Sequence, residues 1–361
     1  MSLWFEDLIS EVGISNKDTM VTSPSLPPLD ELMPYLNEIW ETRQLTNNGK
    51  FHQEFEERLA EYLGVRYVSL FTNGTSALIT ALKALDIKGE VITTPFSFVA
   101  TTHSLAWGGI KPVFVDIKDF NIDVNKIESA ITSKTTAILP VHTFGFPCDV
   151  KKIQEIADRN GLKVIYDAAH SFGVKLNGKS ILNFGDLSVL SFHATKVFNT
   201  FEGGAIISHD LKTKQKIDYL KNFGIKDENT TVGIGINSKM NEFQSALGLV
   251  QLNYIDSYIA KRHIIAQIYR NSLKSVPLKN DVEYNYSYFP ILVDNRDELY
   301  DRLKKHNIHT RKYFSLISNL PMYKTNGLPI ANDISNRVLC LPIYPHLKRE
   351  TVLQIIRIIN E

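Results

Sequence analysis

The amine of Lys196 is the side chain best suited to covalent chemistry in this sequence. It follows an apolar run at residues 187–192 that predicts a buried strand, so we expect the lysine at the carboxyl end of that strand. A lysine there can form a Schiff base with a carbonyl compound if burial or nearby cations lower its pKa. The hydroxyls of Ser191 and Thr195 are close enough in sequence to hold a phosphate. Taken alone, Lys196 is more typical of a solvated surface lysine, and only its context favours chemistry.

Asp167 directly follows the predicted strand 163–166, which places its carboxylate at the same sheet edge as Lys196. A carboxylate there can pair with the ring nitrogen of pyridoxal phosphate (PLP) and keep that nitrogen protonated. The protonated ring then accepts the electrons of a substrate C–H bond. The pair therefore predicts PLP chemistry, although Asp167 could instead cap a helix.

The segment Thr72-Asn73-Gly74-Thr75-Ser76 stands between a predicted strand and a predicted helix at residues 76–85. Backbone N–H groups, a glycine and hydroxyls at a helix start can bind an anion. The segment lacks both the Gly-Lys-Ser/Thr of a P-loop and the G-x-G-x-x-G of a dinucleotide site. It is also typical of a simple capped helix.

Phe98 belongs to Pro95-Phe96-Ser97-Phe98, which follows another predicted strand at the same edge. Its ring could stack on a cofactor ring. A core aromatic is the alternative, because phenylalanine is among the most buried residue types.

The elements that must position these residues alternate between strands and helices, which predicts an α/β fold with a mostly parallel seven-stranded sheet covered on both faces. Helices are predicted at residues 29–40, 51–62, 76–85 and 151–160. The predicted strands are residues 65–71, 90–94, 112–117, 136–141, 163–166, 187–192 and 205–208.

A long helical stretch at residues 241–273 is the predicted connector to a smaller α+β domain. That domain has predicted strands at 286–293 and 336–341 and predicted helices at 296–306 and 348–359. We therefore expect a large domain at residues 1–250 and a small C-terminal domain at 251–361.

Composition narrows the class of protein. A formal net charge of +1 gives no electrostatic case for binding nucleic acid or an anionic membrane. Two cysteines, Cys148 and Cys340, form neither a disulfide framework nor a metal-ligand spacing, so no metal site is expected. The sequence contains no run of about 18 apolar residues, and residues 1–20 do not resemble a secretory signal. The expected compartment is the cytoplasm.

Together these motifs resemble the DegT/DnrJ/EryC1/StrS family of PLP-dependent sugar aminotransferases, which have the aspartate-aminotransferase fold (fold type I). The resemblance covers nearly the whole chain and is specific in combination. Its motifs are Leu45-Thr46-Asn47-Asn48-Gly49, Asn73-Gly74-Thr75-Ser76-Ala77-Leu78, Asp167-Ala168-Ala169-His170, Ser191-Phe192-His193-x-x-Lys196, the segment 235–246 and Leu341-Pro342-Ile343-Tyr344-Pro345.

The resemblance implies a role for each matching residue. Lys196 carries PLP and Asp167 pairs with its ring nitrogen, while Phe98 stacks on the ring and His170 lies near the ring hydroxyl. Asn237 reaches the phosphate of a neighbouring subunit, which implies a homodimer with shared active sites. The phosphate itself is held by Gly74, Thr75, Ser76 and Ser191.

The implied reaction is amination of a nucleotide-linked keto sugar with L-glutamate as donor and 2-oxoglutarate as co-product. The segments 24–29, 45–49 and 192–204 are similar to the branch that aminates C4 of dTDP-4-keto-6-deoxy-D-glucose for bacterial surface polysaccharides such as O-antigen. Amination at C3, a PLP carbon–sulfur lyase and a non-catalytic PLP-fold regulator remain alternatives. Family members that deoxygenate their substrate have His in place of the lysine, so Lys196 favours transamination.

Overall fold

A seven-stranded sheet forms the centre of the molecule in the computed structural model, which describes residues 18–361. The expectation about a secretory signal at residues 1–20 falls almost wholly outside this range. The strands are β1 Tyr67–Phe71, β2 Glu90–Thr93, β3 Lys111–Phe114, β4 Thr135–Leu139, β5 Lys163–Asp167, β6 Leu187–Ser191 and β7 Gly204–Ser208.

The strand order is β1-β7-β6-β5-β4-β2-β3, and only β7 runs antiparallel to its neighbours within this sheet. Successive side chains of a strand enter different cores: Val164 and Tyr166 join one hydrophobic cluster, and Ile165 joins the other. This alternation shows that apolar residues cover both faces of the sheet. The predicted mostly parallel seven-stranded sheet is therefore confirmed.

Twelve helices surround this sheet and its C-terminal companion in the described residues. The bounds are α1 Leu29–Thr42, α2 Lys50–Leu63, α3 Gly74–Ala84, α4 Val99–Trp107, α5 Val124–Ile127, α6 Val150–Asn160, α7 Leu211–Leu220, α8 Glu242–Leu252, α9 Ile255–Ser272, α10 Arg296–Lys305, α11 Pro329–Arg337 and α12 Arg349–Asn360. No helix of this range is long and apolar enough to span a bilayer.

The predicted continuous helical stretch 241–273 is wrong in one respect, because it consists of two helices, α8 and α9. At the junction, Asn253 N donates to Val250 O and Tyr254 N donates to Gln251 O. These bonds span three residues instead of four, so a tightened turn separates the two helices. Neither residue is a glycine or proline that would have marked the break.

The C-terminal part contains the antiparallel strands β8 Phe289–Leu292 and β9 Val338–Leu341. Its own apolar cluster includes Ile265, Tyr269 and Ile358, whereas Ile255 at the start of α9 belongs to the core of the large sheet. The predicted boundary at residue 250 stays a prediction, and we propose that α9 carries the chain from one unit to the other.

Short strands complete the fold. Thr19–Met20 pairs in parallel with Ile308–His309, which holds the start of the described chain against the C-terminal part. Ile225–Asp227 and Thr230–Thr231 form an exposed hairpin. The remaining short strands are Ile117–Lys118, Asn121–Ile122, Lys175–Leu176, Lys179–Ser180 and Val282–Glu283.

Candidate active site

The carboxyl edge of the sheet brings Asp167 and Lys196 together. Asp167 ends β5, and Lys196 lies in the loop between β6 and β7. Ser191 at the end of β6 pairs with Gly204 at the start of β7, so both ends of the loop are fixed at this edge. Residues 168–173 contain two turns and no helix, which excludes Asp167 as the cap of a helix beginning there.

The electrostatics of this edge suit Schiff-base chemistry. Burial lowers the pKa of Lys196 to about 8, and the negative charge of Asp167 opposes that shift. Burial raises the pKa of Asp167, while its hydrogen bonds and the charge of Lys196 act to lower it. A lysine with this pKa has an appreciable fraction of free amine near neutral pH, which a nucleophilic amine requires.

Two donors hold the Asp167 carboxylate. Thr101 Oγ1 donates to Oδ2 at 2.7 Å, and the amide of Ala169 donates to Oδ1 at 3.1 Å. Thr101 is itself 2.7 Å from Ser97 Oγ. Sequence reasoning missed Thr101; the available signal was a hydroxyl in the first turn of a helix that begins at the same edge.

The predicted phosphate-binding residues converge at the start of α3. Asn73 caps this helix by accepting a hydrogen bond from the amide of Ser76 at 2.8 Å. A Cβ atom at Gly74 would lie 3.0 Å from Cβ of Ser191, so the helix start touches the end of β6. Thr75 is exposed beside them. One corner therefore contains Gly74, Thr75, Ser76 and Ser191, with the positive end of a helix behind them.

The two neighbouring aromatic residues have different environments. Phe96 is fully buried and stacks with Phe120 at 6.0 Å between ring centroids. Phe98 precedes α4 and is 59% exposed. The core-aromatic alternative therefore describes Phe96, and Phe98 has a ring face open to a ligand.

His170 is buried at the same edge and is held in one tautomer. Its Nδ1 accepts a hydrogen bond of 3.2 Å from the amide of Phe144, and its ring lies parallel to that of Phe314. Burial, with a smaller contribution from the charge of Lys196, lowers the pKa of His170 well below its usual value. The ring is therefore neutral at neutral pH.

Asn237 is placed differently from the other predicted residues. Its side chain is exposed, and its amide oxygen accepts a hydrogen bond of 2.7 Å from Lys239 Nζ. The next residue, Ser238, accepts through its carbonyl oxygen from the amide of Thr72 at 2.8 Å. The segment carrying Asn237 is thus attached beside the phosphate corner, with the Asn237 side chain on the surface.

These groups fit PLP on observations of this structure alone. A lysine of lowered pKa, a buried carboxylate, an open aromatic face and a helix start with hydroxyls are the partners that an aldehyde, a pyridine ring and a phosphate each require. Lys196, Asp167, Phe98 and the α3 corner supply these four partners.

The chain is similar to known transaminases over nearly its whole length. The chain is 54% identical to the dTDP-4-amino-4,6-dideoxy-D-glucose transaminase of Escherichia coli, covering 96% of this chain and 99% of the relative. It is 50% identical to the protein of that name from Shigella dysenteriae, covering 96% and 99%.

Solved structures share the fold. DesI, crystallised in the presence of its TDP-sugar product, aligns with a TM-score of 0.91 at 30% identity, covering 98% of this chain and 95% of DesI. The Helicobacter pylori aminotransferase PseC aligns with a TM-score of 0.88 at 31% identity, covering 95% and 98%. The predicted fold type I of PLP-dependent transferases is thereby confirmed. Residues 29–360 match the sequence model of a known family, and the chain belongs to that family, the DegT/DnrJ/EryC1/StrS aminotransferases.

Proposed function

We propose that this aminotransferase uses PLP to transfer the amino group of L-glutamate to C4 of dTDP-4-keto-6-deoxy-D-glucose. The observation that carries the reaction class is Lys196, whose lowered pKa and position beside the buried Asp167 suit a cofactor-bearing lysine. The substrate rests on the 54% and 50% identical relatives, whose names specify the product of C4 amination.

When bound, PLP supplies an electron sink for the bond broken at the α-carbon of the amino donor. Asp167 would hold the ring nitrogen in its protonated form, and Phe98 would stack on the ring. His170 would offer its Nε2–H to the ring oxygen, because Nδ1 already accepts from Phe144. Gly74, Thr75, Ser76 and Ser191 would bind the phosphate.

Lys196 has two tasks in this proposal. Its Nζ would carry the cofactor between reactions. Once released, the same Nζ would take up the proton leaving the α-carbon of L-glutamate. The pKa of about 8 lets one amine act first as a base and then as an acid near neutral pH.

The proposal includes a homodimer in which Asn237 serves the partner's cofactor. In support, the segment around Asn237 exposes apolar side chains: Phe223 is 50% exposed, Ile234 is 82% exposed and Ile236 is 41% exposed. Clustered apolar exposure of this kind is typical of an interface.

The cysteines argue against the carbon–sulfur lyase alternative. Cys148 and Cys340 are buried free thiols, and burial raises the pKa of both. Neither is then a reactive thiolate. Free thiols also agree with the proposed cytoplasmic location.

A product assay tests the proposal. Purified protein with PLP and L-glutamate would receive dTDP-4-keto-6-deoxy-D-glucose or its 3-keto isomer in separate reactions, followed by mass spectrometry and NMR. We expect an amine at C4 and an equal amount of 2-oxoglutarate. Amination of the 3-keto sugar alone would keep the reaction class and overturn the substrate. Amination of neither sugar would refute the proposed function.

A further inference from the structure

A chain of two buried hydroxyls leads to Asp167. Ser97 Oγ lies 2.7 Å from Thr101 Oγ1, which lies 2.7 Å from Asp167 Oδ2. The exposed fraction is 3% for Ser97, 0% for Thr101 and 6% for Asp167. Short hydrogen bonds in such a water-poor environment are stronger than they would be in solvent.

The protonation state of Asp167 fixes the direction of this chain. An ionised carboxylate only accepts, so Thr101 must give its single hydroxyl proton to Oδ2. Thr101 Oγ1 can then only accept from Ser97, so the hydroxyl proton of Ser97 points toward Thr101 Oγ1. Both hydroxyl dipoles are therefore aimed at the carboxylate and stabilise its negative charge.

The two hydroxyl residues lie next to Phe98, the residue proposed to stack on the cofactor ring. Thr101 lies in the first turn of α4, Phe98 immediately precedes this helix, and Ser97 comes one residue earlier. The start of α4 therefore carries both the open ring face and the hydroxyl that donates to Asp167. A displacement of this segment would move both at once.

We propose that Thr101, supported by Ser97, is a positioning residue that keeps Asp167 ionised and oriented toward the ring nitrogen of PLP. This inference rests on the proposed function. Thr101 does not touch the reacting atoms; it acts through Asp167. Without its hydroxyl, the carboxylate loses a charge-assisted donor and binds a proton more strongly. With PLP bound, Asp167 would then hold the proton of the ring nitrogen more strongly and would support the protonated ring less well.

The test loads the full-length protein with PLP labelled with 15N at the ring nitrogen and records the nitrogen chemical shift. Thr101→Val removes the hydroxyl at similar volume, and Thr101→Ser keeps it. Thr102→Val is the matched control, because Thr102 is equally buried and its hydroxyl has no hydrogen-bond partner within the described residues. PLP affinity is measured on the same samples.

For Thr101→Val we expect a 15N shift toward neutral pyridine and a loss of PLP affinity on the order of tenfold. Thr101→Ser and Thr102→Val should match the unchanged protein. A Thr101→Val protein with the shift and affinity of Thr102→Val would overturn the inference while leaving the proposed function intact. Failure of the unchanged protein to bind PLP would overturn both.

Ser97→Ala is a second route if Thr101→Val does not fold. It removes the outer donor and leaves Thr101 in place. A smaller 15N change in the same direction supports the inference, and an unchanged 15N shift overturns it.

Discussion

The backbone amide of Phe144 donates a hydrogen bond of 3.2 Å to Nδ1 of His170. An amide N–H can only donate, so Nδ1 carries no proton and the neutral ring has its proton on Nε2. The lowered pKa of His170 keeps the ring in this form. The main chain after β4 thus decides which nitrogen of His170 can act as a donor.

The first prediction concerns the titration of His170. Because burial and Lys196 disfavour the imidazolium, its ring should stay neutral at pH values well below the usual histidine pKa of about 6.5. Histidine-selective 15N NMR of the apoprotein measures this, with the resonance assigned from the spectrum of His170→Gln. A midpoint near pH 6.5 would contradict the burial argument.

Replacement of the cofactor-bearing lysine should abolish turnover. We expect Lys196→Ala to lower kcat by at least about a thousandfold, since the general base and the covalent attachment are lost together. Circular dichroism should show an intact fold, because the loop is anchored by the pairing of Ser191 with Gly204. Near-normal turnover by this variant would refute the assignment of Lys196.

The buried amine of Lys196 should also cost stability in the apoprotein. Burial depresses its pKa from 10.5 in the unfolded chain to about 8 in the folded protein. Above pH 10.5 the amine is neutral in both states and costs no stability. As pH falls from 10.5 to about 8 the unfolded state gains the proton first, so stability is lost over this range and the loss is complete below about pH 8. Lys196→Met should therefore be more stable than the unchanged apoprotein at pH 7, by about 2 kcal/mol, a figure reduced because the lysine as a whole residue is only half-buried. The difference in the free energy of unfolding should vanish by pH 10.5.

Urea denaturation at pH 7, 8.5 and 10.5 measures this pH dependence. Lys151→Met, at an exposed position in α6, is the control and should change stability little at any pH. An equal effect of both substitutions across the pH range would sink the prediction.

A network of ion pairs around Glu56 lies against β1. Glu56 in α2 accepts hydrogen bonds from Lys214 Nζ at 2.7 Å, Lys221 Nζ at 2.9 Å and the amide of Leu70 at 3.0 Å. These charges outweigh desolvation and hold the pKa of Glu56 well below its usual value. The two cations thus have a common carboxylate partner between α2, α7 and β1.

Neutralising this carboxylate should be destabilising. Glu56→Gln removes one of the two carboxylates that Lys214 and Lys221 share; Asp218 remains 2.8 Å from Lys214 Nζ and 3.1 Å from Lys221 Nζ. We therefore expect a loss of about 2 kcal/mol in the free energy of unfolding at pH 7. The contribution of Glu56 is fully present above pH 4.5 and is lost as pH falls through its lower folded-state pKa. Thermal unfolding measures both effects. The exposed neighbour gives the control, Glu57→Gln, and equal losses at the two positions would contradict the network.

The sequence predicts the edge residues better than their supports. The apolar runs that predict β5 and β6 place Asp167 and Lys196 at one edge, and the structure has both residues at that edge. Thr101 is 66 residues from Asp167, and no local pattern announces their contact. The break between α8 and α9 is equally silent, since it depends on packing and not on a helix-breaking residue. Long-range hydrogen bonds are decided by tertiary structure, which one sequence does not display.

β7, the antiparallel strand of the seven-stranded sheet, has a consequence for how the site can deform. Its first residue, Gly204, lies so close to the start of α3 that a Cβ atom there would be 2.7 Å from the carbonyl carbon of Asn73. Any larger residue would force the helix start and the base of the lysine loop apart. The start of α3 and the loop that carries Lys196 are therefore in close contact at Gly204. A change in the distance between them requires the sheet itself to bend.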